Sequence, residues 1–333
     1  MASAPRLYPW LVADIGGTNA RFGLVHAAGA EPSDIVALRC ADFATPEAAA
    51  LAYLQRIAAQ HGAAPQPHRA AFALATPVDG DTIKLTNSAW VVSRARVERS
   101  LGIERLHLLN DFEALALSLP YLTPAEMQRF GGGALDAAQP CAVIGPGTGL
   151  GVAACVPFAG AWHALAGEGG HATLSAADDF ESAVLGIVRR RFEHVSAERL
   201  LSGIGLPLLH AAVAEVRGAP VEELEAEEIT RRALTEHDPL STATLDTFCA
   251  MLGSFAGNVA LTLGARGGVF IAGGIAQKLG DFFLRSRFRE RFEAKGRFHD
   301  YLAAIATALI TAPYAALNGA AHGIENALIE KFE

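Results

Sequence analysis

The sequence predicts an α/β protein of two domains, and two observations carry that prediction. The chain has 333 residues, which exceeds the size at which one hydrophobic core stops growing, so a second core is expected. Strand-like apolar runs alternate with helix-like segments, and this alternation starts again near Ala142,. The restart indicates a second α/β unit that shares the plan of the first without repeating its sequence.

The N-terminal half alternates strands with helices. Its predicted elements are a strand hairpin over 10–25, a helix over 46–61, a strand over 69–75, a strand over 103–109 and a helix over 112–119. The strand at 69–75 stops at Thr76-Pro77, because the residue before a proline favours an extended backbone that leaves the sheet. The helix at 112–119 ends before Pro120, since proline cannot continue a helix.

A glycine turn follows the first predicted strand. The apolar residues 11–13 lead into Asp14-Ile15-Gly16-Gly17-Thr18-Asn19. Backbone N–H groups of such a turn can surround an anion, and glycine supplies the positive φ angles that the turn is expected to need. The Thr18 hydroxyl adds a donor, and Asp14 can hold a cation beside phosphates. The alternative is an ordinary tight hairpin, which also uses paired glycines.

Two later segments repeat this theme. The strand-like run at 141–144 leads into Gly145-Pro146-Gly147-Thr148-Gly149-Leu150-Gly151 and a further strand, and residues 267–276 form a short buried strand that ends in Gly273-Gly274 before helix-like sequence. Three turns of this kind predict one nucleotide site, because each can present N–H groups to phosphate oxygens. Three unrelated β-turns are the alternative.

Two segments of the C-terminal half raise other possibilities. The uncharged stretch 247–265 is long enough for a membrane span and carries Gly253 and Gly257 at the spacing of paired transmembrane helices,. Its polar residues and the glycine motif that follows favour a buried helix instead. Residues 285–297 mix arginine and glutamate around Phe288 and Phe292, which predicts an amphipathic surface helix,.

Composition narrows the class of protein. Hydrophobic residues make up 51% and charged residues 19% of the chain, so it should be globular,. The formal charge of −8 offers no electrostatic footprint for nucleic acid,. The four cysteines form no Cys-x-x-Cys pair, which argues against a disulfide framework or structural zinc and fits a reducing cytoplasm. The N-terminal residues lack the apolar core of a signal peptide, and no membrane association is expected.

Acidic and other polar residues that could carry chemistry occur at three places: Asn110-Asp111 after the strand at 103–109, the run Gly167-Glu168-Gly169-Gly170-His171, and Glu198. Open α/β sheets place their chemistry at the carboxyl ends of strands, where Asn110 and Asp111 are predicted. The alternative for these two residues is helix capping. The other two places could be a turn or a surface helix.

Taken together, these motifs closely resemble the bacterial glucokinases, in order and over nearly the whole chain. The segments that carry the resemblance are 14–21, 109–114, 145–151, 167–171, 194–199 and 270–274. The resemblance implies an actin-like ATPase (ribonuclease H-like) fold with two α/β lobes around a central cleft. It implies a small lobe of residues 6–120 plus 314–333, because the last helix returns to it, and a large lobe of residues 121–313.

The resemblance also implies roles for individual residues. Asp111 matches the base that accepts the hydroxyl proton, and Asp14 matches a ligand of Mg²⁺, bound through water. The sugar-binding positions are Asn110, Asp111, Glu168, His171 and Glu198. The ATP-binding positions are Ala13, Asp14, Ile15, Gly16, Gly17, Thr18, Asn19, Gly147, Thr148, Gly149, Gly273 and Gly274. A related group of repressors and sugar kinases pairs a similar histidine with a Cys-x-Cys-Gly zinc cluster, which this sequence lacks, so no zinc is expected.

The implied activity is phosphorylation of D-glucose to glucose 6-phosphate by direct in-line transfer from Mg-ATP, the first step of glycolysis, by a cytoplasmic homodimer. The carboxylate and histidine set favours this enzyme over a non-catalytic nucleotide switch of the same fold. Another hexose, namely mannose, fructose or an amino sugar, remains an alternative substrate, and ADP or polyphosphate an alternative donor.

Overall fold

The computed structural model describes residues 7–86 and 88–329 and divides the chain into two compact units. The first unit comprises the chain up to Leu122, the segment Cys155–Ala166 and the chain from Pro313 onward, and the second comprises Thr123–Ala154 and Gly167–Ala312. The lobe boundaries implied by the sequence, 6–120 with 314–333 against 121–313, stay a prediction. Of those ranges, Arg6, Asn87 and residues 330–333 lie outside the described residues.

The first unit is built on a five-stranded sheet in the order β3-β2-β1-β4-β7. The elements up to Ser118 are β1 (Trp10–Ile15), β2 (Asn19–Val25), β3 (Ser33–Arg39), α1 (Pro46–His61), β4 (Arg69–Leu74), β5 (Thr82–Lys84), β6 (Val91–Ser93), α2 (Arg94–Leu101), β7 (Arg105–Asn110) and α3 (Asp111–Ser118). The hairpin, the two helices and the two further strands predicted for this half are confirmed, with ends shifted by at most two residues.

A six-stranded sheet in the order β11-β10-β9-β12-β13-β8 organises the remainder. The elements are β8 (Met127–Gly131), β9 (Cys141–Pro146), β10 (Leu150–Phe158), β11 (Ala161–Gly167), α4 (Asp179–Arg189), α5 (Gly205–Val216), α6 (Ala226–Arg231), a π-helical turn (Arg232–Glu236), α7 (Pro239–Leu263), β12 (Gly268–Ile271), α8 (Gly274–Leu279), α9 (Asp281–Arg285), α10 (Phe288–Glu293), α11 (His299–Ala304), β13 (Thr307–Ile310) and α12 (Ala315–Ile329). The last helix, α12, belongs to the first unit, as do the end of β10 and all of β11 up to Ala166.

Three parallel strands of the first unit align their carboxyl ends. Strand β4 is parallel to both β1 and β7, and the register pairs Ile15 with Leu74 and Leu74 with Asn110. The glycine turn after Ile15 and the junction after Asn110 therefore leave the sheet at the same edge. On one face of this sheet Phe22, Tyr53 and Phe72 form part of a buried cluster, and α3 and α12 cover the other face.

Helix α7 is buried along most of its length. A Cβ on Gly253 would collide with the carbonyl oxygen of Phe288, and one on Gly257 would lie 2.6 Å from that of Phe292. The two glycines therefore let α10 approach α7 closely, and the prediction of a buried helix is confirmed. Within residues 7–86 and 88–329, no helix combines the length and apolarity needed to cross a bilayer.

The prediction of one amphipathic surface helix over 285–297 is wrong. The segment is broken after Arg285, where α9 ends, and α10 runs only over Phe288–Glu293. Phe288, Arg291 and Phe292 are buried. The charge pattern suggested exposure, but Arg291 is neutralised by Asp178 and Glu181 inside the second unit, which makes burial of its guanidinium possible.

Candidate active site

The turn between β1 and β2 is held on both sides by backbone bonds. Gly16 N donates to Asn19 O at 3.0 Å, and Cys40 N donates to Thr18 O at 2.8 Å. Within the described part of the chain no acceptor is recorded for the N–H groups of Gly17 and Thr18. These donors are therefore available to an anion at the sheet edge.

The expectation of positive φ angles in this turn is wrong. Within the described residues, neither Gly16 nor Gly17 has a positive φ angle. A Cβ on Gly16 would make an ordinary contact of 3.5 Å with Asn19 O. What these glycines contribute is the absence of a side chain, which leaves the backbone open to a ligand at close range.

Asp14 lies on β1 directly opposite Arg21 of β2. Its Oδ2 accepts a hydrogen bond from Arg21 Nη1 at 3.1 Å. Burial raises the pKa of Asp14, and the charge and hydrogen bond of Arg21 oppose that rise. A partly buried carboxylate beside the glycine turn can interact with a hydrated cation, and the bond from Arg21 fixes the direction in which the carboxylate points.

The junction between β7 and α3 is fixed by a capping box. Asn110 Oδ1 accepts from Phe112 N at 2.9 Å and Glu113 N at 3.3 Å, while Glu113 Oε2 accepts from Asn110 N at 3.1 Å. Asn110 Nδ2 donates to Thr76 O at 3.2 Å. The capping interpretation is therefore confirmed for Asn110, and the box contributes about 1 kcal/mol of stability.

Asp111 is the first residue of α3. Its Oδ1 accepts from Phe112 N at 2.9 Å, so the carboxylate is oriented by the backbone of the helix that it begins. Since Asn110 ends β7 in register with Ile15 of β1, through Leu74, the carboxylate and the glycine turn share one sheet edge. The structure thus brings Asp14, the turn and Asp111 to a common side of the first unit.

The second unit brings three predicted sugar-binding residues together. His171 Nε2 lies 4.0 Å from Glu168 Oε2 and 3.9 Å from Glu198 Oε1. Backbone bonds hold this cluster, since His171 N donates to Glu168 O at 3.0 Å and Glu198 N donates to Gly170 O at 2.9 Å. The side chains of Glu168 and His171 are about 60% exposed, so both can reach a ligand from solvent.

Glu198 also ties this cluster to the second glycine motif. Its Oε2 accepts from Leu150 N at 2.9 Å, and a Cβ on Gly149 would collide with that same oxygen. Glycine at position 149 is therefore required for the close approach of the Glu198 carboxylate.

The second and third glycine motifs border one cavity of about 890 Å³ in the second unit. Gly147, Thr148 and Gly274 line it. Gly273 has φ of 83° and a Cβ there would collide with Pro146 O, so this glycine lets the two motifs pack together. A cavity whose walls combine apolar side chains such as Ile204, Leu206 and Ile275 with charged ones, and which has glycine backbone at its edge, suits a nucleotide,.

Comparison with known proteins decides the family. The glucokinase family model matches residues 11–327. The chain is 50% identical over 321 residues to the glucokinase of Aromatoleum aromaticum, covering 96% of each protein. The crystal structure of a glucokinase from an Antarctic psychrotroph is 37% identical and matches with a TM-score of 0.89, covering 96% of this chain and 100% of that one.

The chain belongs to the glucokinase family. This confirms the family resemblance and the predicted reaction, ATP-dependent phosphorylation of glucose by a hexose kinase. The ROK family glucokinase of Streptomyces griseus, solved with glucose and AMPPNP, is 18% identical and matches with a TM-score of 0.59, covering 94% of this chain and 98% of that one. Its likeness shows the fold, and the predicted actin-like ATPase fold is confirmed.

In this glucokinase-family chain, the structure limits how two of the predicted ATP-binding residues can contact a nucleotide. The side chains of Ala13 and Ile15 are fully buried, so only their backbone can face a nucleotide. Other residues also line the 890 Å³ cavity and were not predicted from the sequence, among them Gly203, Ile204, Pro207, Thr230, Ile275 and Lys278. The spacing Gly203-Ile204-Gly205 shortly after Glu198 was a usable signal, since Gly203 N donates to Gly147 O at 2.8 Å.

Proposed function

We propose that this chain transfers the γ-phosphoryl group of ATP directly to the 6-hydroxyl of D-glucose, with Asp111 as the base. The observation that supports this assignment is the strand register, which brings Asp111 and the glycine turn to one sheet edge. Phosphoryl transfer requires the base and the phosphates to be positioned in line, and little covalent chemistry is left to the protein. The backbone bond to Asp111 Oδ1 holds that base in place.

Sugar recognition is assigned to Asn110, Asp111, Glu168, His171 and Glu198. Carboxylates, an amide and an imidazole suit this task, because each can hydrogen-bond neighbouring hydroxyls and is left unpaired by a sugar with a misplaced hydroxyl. The contacts of His171 with Glu168 and Glu198 support a joint role for the three side chains. Asn110 already uses Oδ1 in the cap, so its second amide hydrogen is the group left for a sugar.

ATP would be held by the backbone of Gly16, Gly17 and Thr18 and by the cavity that Gly147 and its neighbours line. Backbone N–H donors suit phosphate oxygens, and those of Gly17 and Thr18 are available. When bound, Mg²⁺ spreads the negative charge of the phosphates. Among the described residues no group of three or more His, Cys, Asp or Glu is arranged for a metal, and Asp14 supplies one carboxylate, as suits an ion held mainly by water and phosphates.

A glucose kinase that uses ATP acts where both are available, so we place the chain in the cytoplasm, at the first step of glycolysis. The proposal that it forms a homodimer rests on the family resemblance alone. Size-exclusion chromatography with light scattering tests the dimer, and a mass of one chain at all concentrations would reject it.

The deciding experiment measures ADP release by the purified protein with Mg-ATP and a panel of hexoses, with the product identified by NMR. Stimulation by glucose with formation of glucose 6-phosphate is the expected result. A larger kcat/KM for mannose, fructose or an amino sugar would assign the alternative substrate. Replacement of ATP by ADP or polyphosphate in the same assay tests the donor.

A further inference from the structure

The second unit contains another cavity, of about 810 Å³, which none of the predicted site residues lines. It lies between the start of α4, the end of α5, the π-helical turn and the first half of α7. Its walls carry apolar side chains, including Phe180, Leu234 and Phe282, together with several charged groups. A cavity of this size with mixed walls can hold a small organic molecule.

Most charges on the wall are already compensated within the protein. Arg291 Nη2 donates to Asp178 Oδ2 at 3.0 Å and also to Glu181. Glu181 further accepts from Ala177 N at 2.7 Å. The Arg287 guanidinium donates twice to Glu290, at 3.0 and 3.2 Å. These groups need no ligand.

A guanidinium, a carboxylate and a hydroxyl on the same wall are left without a hydrogen-bond partner among the described residues. Arg217 is exposed, and its guanidinium carbon lies 5.8 Å from the centre of the Phe180 ring. Burial raises the pKa of Asp246, and the charges of Arg287 and Arg217 oppose that rise. The Thr242 hydroxyl is buried with no partner. The buried Thr242 hydroxyl and the half-buried Asp246 carboxylate gain from a ligand that supplies the missing bonds, and the exposed guanidinium of Arg217 is accessible to the same ligand,.

We propose that this cavity is a second binding site, for a free amino acid with an apolar side chain. The α-carboxylate pairs with Arg217, the α-ammonium pairs with Asp246, and Thr242 offers a further hydrogen bond. The side chain packs against Phe180, Leu234 and Phe282. A simple anion bound at Arg217 would place its negative charge close to Asp246 and leave that carboxylate unpaired. A simple amine bound at Asp246 would likewise place its positive charge close to Arg217 and leave that guanidinium unpaired, so a zwitterion fits best.

The site is placed to influence the nucleotide cavity. Ala226, Thr230 and Arg231 of α6 line the 890 Å³ cavity, and the π-helical turn that continues α6 lines the second cavity through Ala233 and Leu234. One continuous segment thus borders both. Single π-turns within helices frequently mark functional positions, and a ligand that orders this segment changes the affinity of the other cavity. This coupling, unlike the site itself, rests on the proposed function.

Calorimetry on the full chain without sugar or nucleotide tests the site. The probes are L-leucine, 4-methylpentanoate, which lacks the ammonium group, and 3-methylbutylamine, which lacks the carboxylate. Leucine is expected to bind. Each analogue is expected to bind more weakly by about tenfold or by a larger factor, because a charge-assisted bond is lost. Arg217→Ala and Asp246→Asn should each weaken leucine binding to a similar degree.

Arg266→Ala is the matched control, because Arg266 is an exposed arginine whose side chain has no recorded partner in the described chain. It should leave leucine affinity unchanged, and circular dichroism confirms that each variant folds. Absence of leucine binding at millimolar concentration would overturn the site, as would leucine affinities of Arg217→Ala and Asp246→Asn equal to that of the unmodified chain. Leucine binding that saturating AMPPNP does not alter would overturn the coupling alone, and failure of the sugar kinase assay would bear only on the proposed function.

Discussion

The sheet edge of the first unit and the acidic cluster of the second unit are assembled by different means. At the sheet edge, Asp111 and its neighbour Asn110 are held mainly by bonds to residues at most three positions away, by one bond from Asn110 to Thr76, 34 residues away, and by strand register. In the cluster, Glu198 is held by Leu150, 48 residues away, and by the backbone of Gly170. The first arrangement depends on local sequence and the second on loop packing, so the two should respond differently to substitution.

The largest expected effect is that of Asp111→Asn at the sheet edge. The amide oxygen can still accept from Phe112 N, so the fold and glucose affinity should be nearly unchanged, while loss of the base should lower kcat by roughly 10²–10⁴-fold. Steady-state kinetics and glucose calorimetry measure the two quantities separately. Retention of near-normal kcat would remove Asp111 as the base.

Glu198→Gln should affect the cluster in the opposite way. The amide oxygen can keep the bond to Leu150 N, but the charge near His171 is lost, so glucose KM should rise about tenfold with a smaller change in kcat. Glu198→Ala, which also loses the bond to Leu150, should lower stability as well. An unchanged glucose affinity in both variants would place Glu198 outside the sugar site.

The difference between local bonds and loop packing also explains which parts of the fold and of the candidate site the sequence predicts. The hairpin, α1, β4, β7 and α3 follow from short-range signals such as Thr76-Pro77 and the capping pattern of Asn110 and Glu113, and all are confirmed. Strands β3, β5 and β6 and helix α2 were not predicted, because their short or half-exposed segments carry weak periodicity. Cavity residues such as Ile204 and Lys278 were missed since only tertiary packing unites them.

Gly149→Ala tests the loop packing directly. The new Cβ would displace the Glu198 carboxylate, break its bond to Leu150 N, and weaken glucose binding by roughly 1 kcal/mol, about fivefold. Gly147→Ala is the control, because a Cβ there meets nothing within 4 Å. Glucose affinity should be measured by calorimetry without nucleotide. Equal affinities of the two variants would contradict a role for Gly149 in positioning Glu198.

The smallest expected effect concerns Glu113, which closes the capping box at the sheet edge. Glu113→Ala should lower the free energy of unfolding by about 1 kcal/mol, whereas Glu113→Gln preserves the box. Burial raises the pKa of Glu113 against the opposing bond from Asn110 N. A carboxyl with a raised folded-state pKa stabilises the fold most below its unfolded pKa and loses that contribution as pH rises through the folded value.

The stability of Glu113→Gln relative to the unmodified chain should therefore increase between about pH 4 and about pH 7, since glutamine carries no charge to desolvate at either pH. Urea unfolding at the two pH values measures this difference. Glu126→Gln is the matched control, because Glu126 closes a similar box at the surface of the second unit, accepting from Thr123 N at 2.9 Å. An equal gain in that control would assign the effect to overall negative charge rather than to burial at the sheet edge.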